Sequence, residues 1–175
     1  MFHKILVAID NSDICQPVFE KAVSLAKLAD AHLMLFNVIS PFDEQYPYPA
    51  YINGNFIALN LHEEAMKEYM GEWEKLKQDG INFLSQRCQQ ARDMGVNAEF
   101  TQHLGDPSRM ICELARNWNA DLIILGRRGH TGLSELLLGS VSNYVLHHAP
   151  CSVLTVQQPI KLNTEELQQI QTAPV

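Results

Sequence analysis

Ile5-Leu6-Val7-Ala8-Ile9, closed by Asp10-Asn11-Ser12-Asp13, is the stretch on which the fold turns. An apolar run without alternation has no wet face, so it reads as a strand buried on both sides, the kind found inside parallel sheets. The polar cluster behind it offers N-caps for a helix. Over residues 14–29, Val18, Ala22, Leu25, Ala26 and Ala29 then recur at helical spacing. Pro17 falls in the first turn, where its missing N–H costs little. A second buried run, residues 32–39, follows.

The alternation continues along the chain. Residues 61–94 read as a long helix, with Asp79-Gly80 as the point where it could break and Gly95 as its C-terminal cap. Residues 96–103 form a third strand. Asp106-Pro107-Ser108 opens a helix over 108–117, with Asp106 as its cap or, alternatively, reaching the ligand side. Asp121-Leu122-Ile123-Ile124-Leu125-Gly126 is a fourth buried strand, residues 139–148 a last helix and residues 151–156 a fifth strand. Strands alternating with helices predict an α/β fold: a parallel, Rossmann-like sheet with helices on both faces and right-handed crossovers. Ligands of such sheets bind beyond the carboxyl ends of the strands, where strand order reverses. The ends to inspect are Ile9-Asp10, Val38-Ile39 and Leu125-Gly126.

Two segments fall outside this rhythm. In residues 41–60, Pro41, Pro47 and Pro49 interleave with Phe42, Tyr46, Tyr48, Tyr51 and Phe56, which reads as a long loop serving as a lid or as an interface, or left disordered. Residues 159–175 read as a peripheral tail with a short helical patch at 164–170. The domain is therefore expected over residues 1–158, with 41–60 as a variable loop inside it.

The bulk numbers agree with one domain. In 175 residues, 46% are hydrophobic and 19% charged, enough apolar material for a core and too little charge for wholesale disorder. A net charge of −7 argues against broad nucleic-acid binding, which needs a basic face, but a single nucleotide needs only a local positive site. Cys15, Cys88, Cys112 and Cys151 form no Cys-x-x-Cys pair and read as reduced core thiols. The opening apolar run is too short to span a bilayer and lacks a cleavage site, and no other run reaches about 18 residues. These features predict a cytoplasmic protein that engages no membrane.

The chemistry concentrates in Gly126-Arg127-Arg128-Gly129-His130-Thr131-Gly132 and, after residues 133–138, in Gly139-Ser140-Val141-Ser142-Asn143. This segment follows a buried strand and ends by opening a helix. Glycines admit close backbone approach, free N–H groups at a helix N-terminus attract phosphate, serines add donors and arginines add charge. The set suits a di- or triphosphate. It is no P-loop, since no lysine lies between Gly126 and Ser142, and no Gly-x-Gly-x-x-Gly fingerprint, since it follows a late strand. On spacing alone, a plain turn remains the other reading.

Gly126-x2-Gly129-x9-Gly139-Ser140 resembles the Gly-x2-Gly-x9-Gly-Ser/Thr pattern of the ATP-binding branch of the universal stress protein family. The opening strand with Asp10-Asn11-Ser12, the 121–126 strand and Ala149-Pro150-Cys151-Ser152-Val153-Leu154 are similar to the same family, so the likeness covers roughly residues 2–158. The resemblance implies a five-stranded sheet in order 3-2-1-4-5, a homodimer paired through the last strand, and ATP, or another adenine nucleotide with or without Mg²⁺, as ligand. It implies Ala8, Ile9 and Val38 around the adenine, with Leu125 at the adjoining strand end, and Asp10 at the ribose or the adjoining phosphate. Gly126, Arg128 and Gly129 would surround ribose and phosphates, and Gly139, Ser140, Val141 and Ser142 would bind phosphates.

Other residues carry less. Asp10 also fits as an N-cap for the first helix, a role open to Ser12 and Asp13 too. His130 either meets the terminal phosphate or is solvated. His147 and His148 suit the negative end of the last helix. His62 with Glu63, Glu64 and Glu68 reads as a charged helix face. No nucleophile–base–orienter set is visible, so hydrolysis is at most slow. The expected protein is an ATP-binding, dimeric stress-response module. A slow Mg²⁺-dependent ATPase, a nucleotide-independent scaffold and an AMP or cyclic-nucleotide sensor are the alternatives.

Overall fold

The computed structural model describes residues 1–12, 14–40, 59–127 and 139–157. Among these residues five strands and four helices alternate: β1 (Lys4–Ala8), α1 (Cys15–Ala29), β2 (His32–Ile39), α2 (Leu59–Asp93), β3 (Ala98–Leu104), α3 (Pro107–Trp118), β4 (Leu122–Gly126), α4 (Ser140–His148) and β5 (Ser152–Val156). The strands form one parallel sheet in the order β3-β2-β1-β4-β5. The fold class and strand order are those the sequence implied.

The period-two rule sorts the strand residues between two apolar layers. Ile5 and Val7 of β1, Leu33 and Leu35 of β2, and Leu122 and Ile124 of β4 pack under α1 and α2. Leu6, Met34, Phe36, Ile123 and Leu125 pack under α3 and α4. Ile5, Leu6, Val7, Leu33, Leu35, Ile123 and Ile124 have no exposed surface. Burying each such side chain contributes about 1.5–3 kcal/mol.

Two local expectations change. Helix α2 runs unbroken through Gly80, because tertiary contacts on that face override the weak helix preference of glycine. Helix α1 has no side-chain cap at its N-terminus. The Asp10 carboxylate accepts instead from the Ser12 N–H at 3.1 Å and from the Ser12 hydroxyl, closing a local turn one step too early to serve the helix. Asp13 lies outside the described residues. Gly95 does end α2, with φ +83°; its N–H donates to Arg92 O and the Val96 N–H to Ala91 O.

Cys15, Cys88 and Cys112 are buried, Cys151 is half-buried, and all four are free thiols. Burial is the main cause that pushes each thiol above its ordinary pKa, so these are inert core thiols rather than nucleophiles. No helix among the described residues is long and apolar enough to cross a membrane.

Candidate nucleotide site

A cavity of about 510 Å³ opens at the carboxyl ends of β1, β2 and β4, beside the first turns of α1, α3 and α4. This is the size range of small-molecule sites. Ala8, Ile9, Asp10, Val38, Leu125, Gly126, Gly139, Ser140, Val141 and Ser142 all line it, so residues up to 134 positions apart come together there. Arg128 and Gly129, like His130, lie outside the described residues.

The apolar wall forms where β1 and β2 part. Their register ends at the Ala8–Phe36 pair. The Ile9 N–H still donates to Phe36 O at 2.9 Å, and beyond it no backbone bond joins the two strands among the described residues. Alternate residues of a parallel strand turn their backbone groups to opposite neighbours. Ile39 turns to β3, where its carbonyl accepts from the Gly105 N–H at 3.0 Å. Val38 therefore turns toward β1, which has already left, and its N–H and C=O edge the cavity without a strand partner. The Ile9 carbonyl, which a continued ladder would give to Val38, accepts from Asn37 Nδ2 at 2.9 Å instead.

The polar end of the cavity is built by helices. Helix α4 starts at Gly139 with no side-chain cap, and its first intrahelical backbone bond runs from the Asn143 N–H to Gly139 O at 2.9 Å. The N–H groups of Ser140, Val141 and Ser142 therefore have no intrahelical acceptor. Helix α1 is likewise uncapped. Helix α3 differs: Asp106 accepts from the Arg109 N–H at 3.1 Å and from the Ser108 hydroxyl. These bonds, the Ser108 hydroxyl first and the Arg109 N–H second, hold the Asp106 carboxyl below its usual range. Asp106 also lines the cavity, so it both caps and faces the ligand side. Of three helix ends at the cavity, α3 carries its own carboxylate cap, while α1 and α4 have no side-chain cap among the described residues; the Cys15 N–H of α1 donates to Ser12 O at 3.0 Å.

Two residues read as ligand contacts have structural duties. The Ser142 side chain is buried, and its hydroxyl donates to Gly126 O at 3.1 Å, tying α4 to β4. A Cβ on Gly126 would lie 2.8 Å from Ile14 Cγ2 and 3.2 Å from Val18 Cγ2. Gly126 thus admits the first turn of α1 against the sheet. Arg127 Nη1 donates to Gln157 Oε1 at 3.2 Å, and no lysine or arginine is among the described lining residues.

Asn37, Ser40, Asp106 and Ser108 also line the cavity, and only Asp106 was weighed in the sequence. Asn37 had a signal, since a polar amide inside an apolar strand needs a reason. The ring of His148 stacks on Tyr144 and its Nδ1 lies 2.9 Å from Tyr144 O, so it serves the end of α4 as its position suggested. No cluster of three metal-ligating side chains occurs among the described residues; the side chains of His62 and Glu63 lie outside them.

Comparison with known proteins agrees with this frame. The sequence profile of the universal stress protein family matches residues 1–157. Universal stress protein Sll1388 of Synechocystis sp. is 39% identical over 158 residues, covering 89% of this chain and 98% of that protein. A universal stress protein solved in complex with cAMP superposes with a TM-score of 0.62 at 20% identity, covering 89% of this chain and 97% of the other. An Arabidopsis thaliana family member solved with AMP bound gives 0.57 at 18%, covering 94% and 98%. At these identities the two structures speak for the fold.

Proposed function

The chain belongs to the universal stress protein family, and on that premise we propose that it is a stress-response module whose cavity binds an adenine nucleotide, ATP first. The observation that carries this reading is the convergence of an apolar slot and two uncapped helix ends on one cavity. The slot between Ala8, Val38 and Leu125 suits a flat base, and the Val38 N–H and C=O supply one donor and one acceptor for its edge. The Asp10 carboxylate offers acceptor oxygens that suit the ribose hydroxyls. The N–H groups of Ser140, Val141 and Ser142 and the Ser140 hydroxyl suit the phosphates. Arg128 and Gly129 join that end by their place in the glycine pattern, and Arg128 would supply the cation that the described lining lacks. A Mg²⁺ ion would arrive with the phosphates.

The solved relatives with cAMP and AMP support a second reading, in which the ligand carries one phosphate. We also propose a homodimer through β5. It is an edge strand of the sheet, and its Leu154 is 39% exposed; an unpaired apolar edge invites a second copy. The buried free thiols support a cytoplasmic site of action.

The test is to denature freshly purified protein and identify any released nucleotide by chromatography and mass, beside a Gly129→Val/Ser140→Ala double variant. Copurified ATP or ADP, lost in the variant, supports the first reading. AMP or cAMP supports the second. No nucleotide, followed by no binding on titration with Mg·ATP, AMP or cAMP, overturns both and leaves a nucleotide-independent scaffold. Steady ATP turnover abolished by Ser140→Ala would add slow hydrolysis. Light scattering reads the dimer, which Leu154→Glu should convert to monomer.

A further inference from the structure

Helix α2 carries a glycine, Gly80, in its interior, where glycine costs about 1 kcal/mol relative to alanine. The reason lies on the neighbouring strand. A Cβ at Gly80 would sit 1.8 Å from Gln102 Nε2, so the space an alanine methyl needs holds the Gln102 amide. That amide donates to Asn37 Oδ1 at 3.1 Å, and Asn37 Nδ2 donates to Ile9 O at 2.9 Å. We propose that Gly80, Gln102 and Asn37 form a positioning relay that holds the carboxyl end of β1 in place, and thereby sets the ligand affinity of the cavity from a helix outside it. The proposal rests on the nucleotide reading above and names the residues that position its β1 wall.

The strand pattern shows why these are polar. Leu33 and Leu35 of β2, and Ala98 and Phe100 of β3, face the α1–α2 layer. The period of two puts Asn37 and Gln102 next on that face, and the register makes them direct partners. Apolar side chains there would continue the core but would leave Ile9 O without an acceptor's partner once the ladder has ended. A half-buried carbonyl left so costs about 1–3 kcal/mol. The amide pair closes that gap: Asn37 stands in for the missing ladder bond, and Gln102 takes up the oxygen of Asn37 and fixes which way its amide points. Gly80 confines Gln102 in turn. Neither Gly80 nor Gln102 lines the cavity, whereas Ile9, Asp10 and Asn37 do.

The Gln102 amide is the far end of a flexible side chain, so Gly80→Ala displaces it instead of unfolding the protein. The displaced amide leaves Asn37 Oδ1 unpaired, and the Ile9–Asp10 segment loosens where the ligand sits. Gly71 is the control, since it lies on the same helix with nothing within 4 Å of an added Cβ.

The experiment uses the full chain. Mg·ATP affinity is measured by calorimetry, and amide hydrogen exchange at residues 10–12 by mass spectrometry. The proteins are the wild type, Gly80→Ala, Gln102→Ala, the double variant and Gly71→Ala, each with a thermal melt. The relay requires Gly80→Ala to weaken ATP about fivefold, the worth of about one hydrogen bond, and to speed exchange at 10–12 while the melt stays cooperative. Gln102→Ala should give a similar loss, and adding Gly80→Ala to it should change nothing more, because the methyl then enters vacated space. Gly71→Ala should leave both readouts at wild-type values. Wild-type affinity and exchange in Gly80→Ala, or additive losses in the double variant, would overturn the relay. If the wild type binds no ATP, the nucleotide reading fails, and exchange at 10–12 still decides the relay by the same pattern.

Discussion

The two ends of the sheet are built from the same strands and treat their polar groups in opposite ways. At the amino end everything is closed. The Asp121 carboxylate accepts from the His3 N–H at 2.7 Å and from the Lys4 N–H, and Lys4 Nζ donates to Trp118 O at 3.1 Å. Helices α1, α2 and α3 all finish there on a left-handed residue, Asp30, Gly95 and Asn119. After each, a buried residue donates back into the last turn: Ala31 to Ala26 O, Val96 to Ala91 O and Ala120 to Ala115 O. At the carboxyl end the ladder between β1 and β2 stops early, and two of the three helix N-termini beside the cavity have no side-chain cap among the described residues. Unmet hydrogen-bonding groups beside apolar walls cost stability unless a ligand or water meets them. One end is spent on folding and the other is held open.

Substitutions at the closed end should therefore cost stability and spare binding, whereas a change to the cavity wall at the open end should reach both. The largest effect belongs to Gly126→Val, which drives branched methyls into Ile14 and Val18. Overpacking of this kind costs about 3 kcal/mol, and it moves the α1 turn that lines the cavity, so urea unfolding and ATP titration should both show losses. Wild-type behaviour in both would mean that α1 is not seated on β4 as described. Next comes Asp121→Ala at the closed end. Losing a charged acceptor for two backbone N–H groups should cost about 2 kcal/mol, while ATP affinity stays within about twofold; a large affinity loss would erase the distinction between the ends.

Asp106→Ala is the smallest. Losing the α3 cap should cost about 1 kcal/mol at pH 7. Because hydrogen bonds depress the Asp106 pKa in the folded protein, its contribution is full above the ordinary carboxylate value, about pH 4. It fades as pH falls through the depressed folded value. The stability gap between wild type and variant should close in acid, and a gap that persists there would show that the cap acts through packing.

Much of this was legible beforehand because it is local. Ile5 to Ile9 and Leu122 to Leu125 could only be buried strands, and their alternation with helices implied a parallel sheet whose ligands lie at the carboxyl ends. The likeness to the family carried the strand order and named ten of the residues that line the cavity. The rest depended on pairs far apart in the chain. Gly80 reads as a helix break until Gln102 is seen in its space. The structural duties of Gly126 and Ser142 show only once Ile14, Val18 and the Gly126 carbonyl are placed beside them.

By itself the sequence determined which segments are strands and helices, in what order they run and at which end chemistry would gather, since burial periodicity and turn residues act within a few positions. Only the tertiary structure decided which helix ends stay open, which glycines make room for packing and which amide replaces the lost ladder bond at Ile9. Those outcomes turn on contact distances between residues dozens of positions apart, and no local pattern encodes them.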